Sequence, residues 1–403
     1  MKEIKNIIII NDFDYVQGGA SKVAIQTANL LKENCPELNV YFFSGSHDNS
    51  SILNKDVISI CTNQGEALKD KNKFRGIING LYNFKAKKEL KKLLKTLNQK
   101  ETIIHVHGWT KSLSSSIFDI AFKMKFKVIL TMHDYFTACP NGGYFNYKKN
   151  EICHLKPMSA KCKRCNCDSR NYGFKLYRVL RQFIQDNIVK LNDKLEYAIS
   201  ISEFSEKILK ETLNKNTKIY RVYNPIDFDE NAKKVDYRKN KYYLYVGRVS
   251  KEKGVDLFCE ALTELNLPAI VVGDGSELPK LKTQYPNIKF VGWKSNEEVK
   301  EYMKNAKYLI MPSRWYECAP LTNIEALSVG IPSLVSNNCA ASDISNKKNS
   351  CGDTFQLNTN SLVECIEKNN KNKENISFET LKLFSTDKYV LNLINLYNCI
   401  IKK

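Results

Sequence analysis

Short apolar segments alternate with longer helical patterns along most of the chain. The segments are apolar throughout, which is typical of buried strands in a parallel sheet that is covered on both faces. The predicted strands lie at 5–11, 40–43, 102–107, 127–132, 196–201, 218–223, 242–246, 269–272, 288–291, 308–311 and 332–336. This alternation predicts an α/β fold, and 403 residues are enough for two domains of ordinary size.

Apolar residues at helical spacing predict helices between these strands. The helices cover about 21–34, 75–97, 174–194 and 321–328, and 381–401 forms a terminal pair. The 75–97 helix carries six lysines on its polar face, which makes it the candidate for contact with an anionic membrane surface. The alternative is a core helix with a solvated basic face, and the two interpretations can coexist.

Charge and composition restrict which binding partners and which cellular compartment we expect for the protein. The net charge of +19 favours anionic partners, although it also fits a general bias toward Lys and Asn. The longest apolar runs are too short to span a bilayer, and the N-terminus shows no cleavable signal pattern. We therefore expect a cytoplasmic protein, at most peripheral at the inner face of the plasma membrane, whose 13 cysteines are not paired as disulfides.

Two carboxylates, Glu317 and Glu325, follow the buried strand at 308–311 with seven residues between them. Pro320 suits the first turn of a helix, so Glu317 is expected on a strand-to-helix loop and Glu325 about one turn into the helix. The backbone at Pro320, Leu321 and Thr322 then starts a helix. It presents free N–H groups, those of Leu321 and Thr322, which suit a phosphate. A pair of glutamates by itself is also compatible with two solvated surface residues.

Three further motifs fit an anionic ligand. Gly18-Gly19 lies between a strand and a helix start, where a glycine turn can form an anion or sugar site. Arg248 and Lys253 follow the strand at 242–246, and two cations beside a helix N-terminus suit a diphosphate. Gly273, in Gly273-Asp274-Gly275, allows close approach to a nucleotide. Asp12-Phe13-Asp14 has the spacing of a metal-binding D-x-D, but we interpret it as a loop feature.

Histidines end two of the predicted strands. His107 and His133 lie at strand ends, where open α/β sheets bind their ligands, whereas His105 lies in mid-strand and is expected to be packed. His107 is a candidate for the acceptor side of such a site. A structural hydrogen bond is the alternative for both strand-end histidines.

Residues 136–173 interrupt the α/β pattern with a cysteine-rich insert. A C-x2-C pair, Cys162 and Cys165, with Cys139 and Cys153 predicts a tetrahedral structural zinc site that would hold a long loop together. Cys167 or His154 could replace one ligand. Free thiols and a redox disulfide are the alternatives.

In this order, the motifs resemble those of glycosyltransferase family 4, in the subgroup with cysteines after an H-D-Y motif. The resemblance implies a retaining enzyme with two Rossmann-like domains facing across a cleft, the arrangement called GT-B, and a C-terminal helix that crosses back to the first domain. It places the first domain at 1–223 plus about 386–403, and the second, nucleotide-sugar-binding domain at 224–385. Cys318-Ala319 departs from the Gly-Phe or Phe-Gly of many members, which suggests altered sugar specificity.

The resemblance also implies roles for the site residues. Glu317 and His133 would contact the transferred sugar, Glu325 the ribose, and Gly19, Arg248 and Lys253 the donor phosphates. The donor would be a nucleoside-diphosphate sugar, no cofactor would be required for catalysis, and the acceptor would be a glycan or polyprenyl-linked glycan of a bacterial surface polysaccharide such as capsule or O-antigen. No nucleic-acid partner is expected.

Two other functions remain open from the sequence. One is a sugar-nucleotide epimerase or hydrolase on the same fold, which product analysis without acceptor would reveal. The other is a basic zinc-knuckle nucleic-acid-binding protein, which explains the charge and the cysteines but leaves the phosphate loops without a role.

Overall fold

Two parallel β-sheets form the framework of the protein. The computed structural model describes residues 4–229, 231–345, 351–371 and 375–402. The first seven-stranded sheet and a small hairpin contain β1 Asn6–Phe13, β2 Asn39–Ser46, β3 Ile58–Cys61, β4 Thr102–Val106, β5 Lys127–Thr131, β6 Phe145–Asn146, β7 Glu151–Ile152, β8 Tyr197–Ser200 and β9 Lys218–Arg221. The second, six-stranded sheet contains β10 Tyr242–Val246, β11 Ala269–Val272, β12 Lys289–Gly292, β13 Ala306–Met311, β14 Ser333–Ser336 and β15 Gly352–Phe355.

Strand order reverses near the centre of each sheet. The first sheet runs β3-β2-β1-β4-β5-β8-β9 and the second runs β12-β11-β10-β13-β14-β15. All eight residues of β1 are buried, since this strand is central and covered on both faces. The predicted α/β fold is confirmed, and in such sheets ligands bind beyond the carboxyl ends of the strands next to the reversal.

Helices cover both sheets. They are α1 Gly19–Asn34, α2 Lys73–Leu81, α3 Phe84–Lys95, α4 Ser116–Lys123, α5 Ala160–Arg164, α6 Tyr172–Phe183, α7 Leu191–Lys194, α8 Glu203–Lys210, α9 Val255–Glu264, α10 Leu278–Gln284, α11 Asn296–Lys304, α12 Thr322–Val329, α13 Thr359–Asn370 and α14 Thr386–Lys402. No helix within the described ranges combines the length and the apolar composition needed to cross a bilayer.

The last helix returns to the first sheet. Buried residues of α14 belong to the same apolar core as β1, β4 and β5. The Tyr397 hydroxyl shares a 2.6 Å hydrogen bond with Nδ1 of His105 in β4, and Tyr389 shares one of 2.7 Å with Thr27 of α1. The predicted crossing helix and the packed position of His105 are therefore confirmed. The segment at 381–401 is one α-helix after a 3₁₀ turn, Glu379–Phe384, and not the predicted pair of α-helices.

The predicted helix at 75–97 is wrong as a single element. The chain forms α2 and α3 instead, because Tyr82 and Asn83 adopt extended backbone conformations between them. The Asn83 side chain accepts a hydrogen bond from Ala86 N, which caps α3, and its amide donates to the Ser112 carbonyl. Lys87 is also not free for lipid head groups, since it pairs with Asp119 at 2.7 Å.

The predicted helix at 174–194 is also divided. Helix α6 passes into a π-helical turn at Ile184–Val189, and Lys190 then takes a left-handed conformation before α7. The helix of the glutamate block begins at Thr322, with Leu321 as its N-cap, one residue later than predicted. Helix α1 begins at Gly19, with Gly18 as N-cap, two residues earlier than predicted.

Candidate active site

A cavity of about 210 Å³ lies between the two sheets and is lined by both halves of the chain. Among its walls are four residues predicted from the sequence: Gly19, His133, Glu317 and Leu321. A Cβ atom built on Gly19 would meet nothing within 4 Å, so the start of α1 leaves open space for a ligand. The loop after β13 thus faces the start of α1 and the end of β5 across one hollow.

Glu317 forms the central ion pair of this site. Its Oε1 accepts a hydrogen bond from Nζ of Lys253, and its Oε2 accepts one of 2.6 Å from the Ser313 hydroxyl. Burial by itself raises the pKa of the Glu317 carboxyl, but the Lys253 ammonium and the Ser313 hydroxyl outweigh this effect, and the resulting pKa is lowered. Glu317 is therefore a carboxylate at neutral pH. Nζ of Lys253 also lies 5.5 Å from the centroid of the Trp315 ring.

The loop that carries Glu317 is fixed by its backbone. The Glu317 carbonyl accepts a 3.0 Å hydrogen bond from Ala340 N, and the Cys318 carbonyl accepts one of 2.5 Å from the Ser202 hydroxyl of the first half. Ring contacts of Tyr316 with Tyr135 and Phe204 add apolar contact between the halves. The carboxylate is consequently held in place by both halves of the chain.

Helix α12 begins directly beside this loop. Its first intrahelical bonds run from Ile324 N and Glu325 N to the Leu321 carbonyl, which leaves the amides of residues 321–323 outside the helical pattern. Pro320 and Leu321 line a smaller apolar space with Ile201 and Phe384. The helix start therefore presents donors and a positive dipole end on the loop that carries Glu317.

Glu325 pairs with a residue of the first half that the sequence did not single out. Its Oε1 lies 3.1 Å from Nζ of Lys22, in the first turn of α1. Lys22 follows the Gly18-Gly19 turn by three residues, and this position beside a predicted anion site is the only signal that could have indicated it. The ion pair connects α1 to α12 across the cleft.

Arg248 lies at the edge of the site and is more exposed than Lys253. Its Nη2 is 2.9 Å from Oε1 of Glu252, and 59% of its side chain is exposed. Its charge still contributes to the lowered pKa of Glu317. Gly273 has φ +135°, and a Cβ there would lie 1.9 Å from the Gly247 carbonyl oxygen, so only glycine permits this packing of neighbouring loops.

The strand-end histidines form a stack. Nδ1 of His107 and Nε2 of His133 are 2.9 Å apart, and the His107 ring also lies 4.3 Å from that of His105, centroid to centroid. Burial lowers the pKa of all three rings, that of His133 to about 4 and that of His105 to about 3, so they are neutral at pH 7. His133 lines the cavity, whereas His107 is 2% exposed and lies behind it. The prediction of His107 as an acceptor-side group is not supported by this position.

Two aspartates of the first half have different roles. Asp12 of the D-x-D accepts hydrogen bonds from the backbone N–H groups of Lys111, Ser112 and Leu113, and so shapes the loop after β4. Asp134, next to His133, lines the cavity, and burial raises its pKa to about 6. Asp134 is the middle residue of the H-D-Y motif, and no role was predicted for it from the sequence.

The cysteine insert is organised around a lysine. Lys175 of α6 is 1% exposed, and its Nζ donates to Sγ of Cys162 at 3.6 Å. Burial by itself lowers the pKa of this ammonium, but the neighbouring Cys167, Cys162 and Cys139 outweigh this effect, and the resulting pKa is raised. Within the described residues, no group of three or more His, Cys, Asp or Glu side chains is arranged to hold a metal ion. The cysteines as they lie do not form a tetrahedral ligand set, and a structural zinc on Cys139, Cys153, Cys162 and Cys165 stays a prediction.

The insert also covers the cleft. Gly142 lines the cavity, and Gly143 packs against Trp315, where a Cβ would come within 2.9 Å of the indole ring. The hairpin residues Tyr147 and Asn150 share a second cavity, of about 220 Å³, with the loop after β10. Through these contacts the insert packs against the second half of the chain beside the site.

Comparison with known proteins agrees with this arrangement. Residues 227–376 match a family described as glycosyl transferases group 1. A 41.2 kDa protein of the cps region of Klebsiella pneumoniae is 26% identical over 260 residues, which are 60% of this chain and 69% of that protein. A UDP-Gal:alpha-D-GlcNAc-diphosphoundecaprenol alpha-1,3-galactosyltransferase of Escherichia coli is 29% identical over 161 residues, 34% of this chain and 41% of that enzyme.

A solved structure supports the architecture of the whole chain. Sucrose-phosphate synthase from Thermosynechococcus elongatus superposes with a TM-score of 0.68 over 99% of both chains, at 16% sequence identity. That likeness shows the fold, with two Rossmann-like domains in the GT-B arrangement. Residues 227–376 thus match a glycosyltransferase group 1 domain within a chain of GT-B fold, and the chain is a glycosyltransferase.

Proposed function

We propose that this enzyme is a retaining glycosyltransferase of the family 4 type, which moves a sugar from a nucleoside-diphosphate sugar to a glycan or polyprenyl-linked glycan. The observation that carries the proposal is the Lys253–Glu317 ion pair beside the start of α12, with His133 on the opposite wall of the same cavity. One diphosphate sugar would then meet a cation, a carboxylate and free backbone amides.

The donor diphosphate would bind on the second half. Lys253, Arg248 and the amides at the start of α12 supply positive groups for it, and no cofactor is required for this binding. Glu325 would take the ribose hydroxyls, and Lys22 would then exchange its carboxylate partner for a phosphate oxygen. Gly273 would let the nucleotide approach the backbone closely.

The transferred sugar would lie toward the first half. Glu317 would accept hydrogen bonds from sugar hydroxyls, and His133 would contact the sugar through Nδ1, since its Nε2 is bonded to His107. Gly19 leaves room at the helix start for the sugar and the phosphate next to it.

Catalysis would be mainly electrostatic. The bond between the anomeric carbon and the donor phosphate oxygen breaks, while a bond from the acceptor hydroxyl oxygen forms on the same face. The hydroxyl proton passes to the departing diphosphate, whose negative charge Lys253, Arg248 and the α12 amides stabilise. Removing one such group typically lowers the rate on the order of 10²–10³-fold.

The relatives suggest the pathway class. The Escherichia coli enzyme is named for transfer of galactose from UDP-Gal to a diphosphoundecaprenol-linked sugar, and the Klebsiella pneumoniae relative is a protein of a cps region. We infer that this chain extends a lipid-linked precursor of a bacterial surface polysaccharide such as capsule, at the cytoplasmic face of the membrane. The departure at Cys318-Ala319 would change which sugar is accepted.

A donor screen followed by a transfer assay tests the proposal. Thermal shifts are measured with UDP-, GDP-, ADP- and dTDP-sugars, and the stabilising donor is then incubated in labelled form with polyprenyl-diphosphate-linked sugars, with and without chelator. Transfer with retained anomeric configuration is expected in both conditions. A 2-epimer or rapid release of free sugar without acceptor would contradict the transfer proposal and favour an epimerase or hydrolase.

A further inference from the structure

Helix α2 is oriented with its small residues inward. Gly76 and Gly80, one turn apart, are buried, whereas Phe74 and Ile77 are 75% and 45% exposed. A Cβ on Gly80 would lie 1.9 Å from the Tyr177 hydroxyl, and one on Gly76 would lie 2.3 Å from the Ala67 carbonyl, so the glycines are required for this close packing. A helix on the surface of a water-soluble protein normally buries its large apolar residues instead.

Helix α6, next to α2, shows the same inversion with polar residues. Lys175, Arg181 and Gln182 are its buried positions. Arg181 donates to the Pro140 carbonyl at 3.2 Å, and Gln182 donates to the Thr137 carbonyl at 3.1 Å. The turn-spaced apolar residues Leu176, Leu180 and Phe183 are 47–49% exposed.

The two inverted helices are neighbours, since Gly80 of α2 packs on Tyr177 of α6. Their outward residues form what we call the α2–α6 face: Phe74, Ile77, Ile78, Leu176, Leu180 and Phe183. Exposed apolar side chains concentrated on adjoining helices mark an interaction surface. Because both helices expose large apolar residues and bury small or polar ones, a chance scatter of single exposed residues explains this face poorly.

The segment beside this face is strongly basic. Residues 71–95 contain nine Lys or Arg and one acidic residue, Glu89. Phe84, at the start of α3, is 65% exposed and shares its helical face with Lys88 and Lys91. Lys73, Lys88 and Lys91 form no ion pair with the residues that the structure describes, so their charges are available to an anionic partner.

We propose that the α2–α6 face docks on an anionic lipid bilayer, with its apolar residues in the interfacial region and the lysines of α2 and α3 at the lipid phosphates. An apolar face with a neighbouring segment of lysines that form no ion pair is complementary to such a bilayer, because apolar burial and attraction to the lipid phosphates both add to the binding free energy. A second copy of the chain would bring the same lysines against each other. The inner face of α6 holds the loop that contributes Gly142 to the cavity, so docking places the active site beside the membrane surface.

Sedimentation of the full-length protein with lipid vesicles tests this proposal. Vesicles containing phosphatidylglycerol are expected to carry the protein down, and pure phosphatidylcholine vesicles or high salt are expected to reduce binding strongly. In the variant F74S/L180S the partition coefficient is expected to fall ten-fold or more, on the order of what two buried apolar side chains contribute. The control I52S/L391S changes two side chains of similar exposure elsewhere, 61% and 53%, and is expected to bind like the wild type.

Unchanged vesicle binding by F74S/L180S would overturn the proposal. So would a concentration-dependent dimer in ultracentrifugation that the variant abolishes while vesicles capture neither protein. If the first pair of substitutions lowers the melting temperature, I77S/F183S provides a second pair on the same helices. Transfer to a soluble acceptor is assayed separately, so failure of the transferase proposal and failure of membrane docking are distinguishable.

Discussion

His107 orients His133 through a hydrogen bond of 2.9 Å between Nδ1 of the first ring and Nε2 of the second. Both rings are neutral, because burial lowers the pKa of each, and one nitrogen must therefore donate while the other accepts. Nε2 of His107 is buried and has no hydrogen-bond partner among the described residues. The geometry thus gives His107 a positioning role and leaves only Nδ1 of His133 for a ligand.

Replacing His107 with phenylalanine keeps a ring of similar shape and removes this hydrogen bond. We expect kcat to fall about three- to ten-fold with little change in KM for the donor, since one hydrogen bond contributes roughly 0.5–1.5 kcal/mol. Steady-state kinetics check the separation of kcat from KM. The control is His47→Phe, at a half-exposed ring that pairs with Asp14. An H107F enzyme with wild-type kcat would show that His133 needs no such support.

Glu317→Gln removes the charge that faces Lys253. We expect kcat to fall on the order of 10²–10³-fold, because the sugar loses an ionised acceptor and Lys253 loses its position at the diphosphate. Stability should fall as well, since an ammonium in a largely buried pair loses its carboxylate. Activity and melting temperature are measured against Glu301→Gln, whose side chain is 64% exposed. Retained turnover would exclude Glu317 from the reaction.

The same variant has a pH signature. The pKa of Glu317 is lowered from its usual value of 4.5, so the folded state binds the proton more weakly than the unfolded state. Its contribution to stability is present above pH 4.5 and is lost as pH falls through the lowered pKa. The melting temperatures of wild type and E317Q should therefore differ at pH 7 and converge in acid. A constant difference down to pH 3 would contradict the ion-pair interpretation.

Arg248→Ala tests the donor side. Because 59% of the Arg248 side chain is exposed, its removal costs little packing, but Glu252, which is 5% exposed, loses its ion-pair partner. The melting temperature should therefore fall by a few degrees, while kcat/KM for the donor falls on the order of 10²-fold. Arg238→Ala, another partly exposed arginine with a nearby acidic partner, is the matched control. Undiminished turnover by R248A would refute the assignment of this residue to the diphosphate.

Much of the framework could be predicted from the sequence because its strands are buried on both faces. Runs such as Ile7-Ile8-Ile9-Ile10 are apolar at every position, which is typical of a strand covered on both faces. The motifs that follow these runs therefore lie at strand ends, where ligands bind in sheets of this topology. The site residues Glu317 and Lys253 meet because β10 and β13 are paired neighbours. The ion pair between Lys22 and Glu325 joins residues 303 positions apart, and periodicity carries no information about such a contact.

The break between α2 and α3 shows why other features were not predictable. No proline marks it, and although Gly80 lies in the last turn of α2, the apolar spacing continues from Leu81 to Phe84. The break depends on tertiary partners, since Asn83 N donates to the Ser114 hydroxyl and its side-chain amide to the Ser112 carbonyl. Likewise, the exposure of Phe74 follows from the packing of Gly76 and Gly80, which a simple apolar pattern assigns to the wrong face.

Asp134→Asn should stabilise the protein in neutral and alkaline solution. Burial raises the pKa of Asp134 from 3.8 to about 6, so the folded state prefers the protonated form and stability decreases as pH rises through 6. Asparagine keeps an acceptor for Phe136 N, which bonds Oδ1 at 3.0 Å, and removes the ionisation. The variant should melt a few degrees above wild type at pH 8 and equally at pH 4. Equal melting temperatures across this range would show that Asp134 titrates normally.

Helix α14 packs on the first sheet, so changes in this packing test how the chain is divided into two domains. We propose that 386–403 folds with 1–223 and that 224–385 forms the second domain, so deleting the last helix should expose the core around β4 and abolish cooperative folding of the first domain. Tyr397→Phe is the graded version of this deletion. It leaves Nδ1 of His105 without its 2.6 Å partner in a buried position, which costs about 1–3 kcal/mol, or several degrees in melting temperature.

Calorimetry distinguishes the two domains in that experiment. In Y397F the transition of the first domain should move down, while the stabilisation of the second domain by a bound nucleotide is unchanged. Tyr41→Phe is the control, because its hydroxyl makes no hydrogen bond to the described residues and its ring is half-buried at the same sheet. If Y397F shifted the second domain alone, α14 would belong to the other half and the proposed division would be wrong.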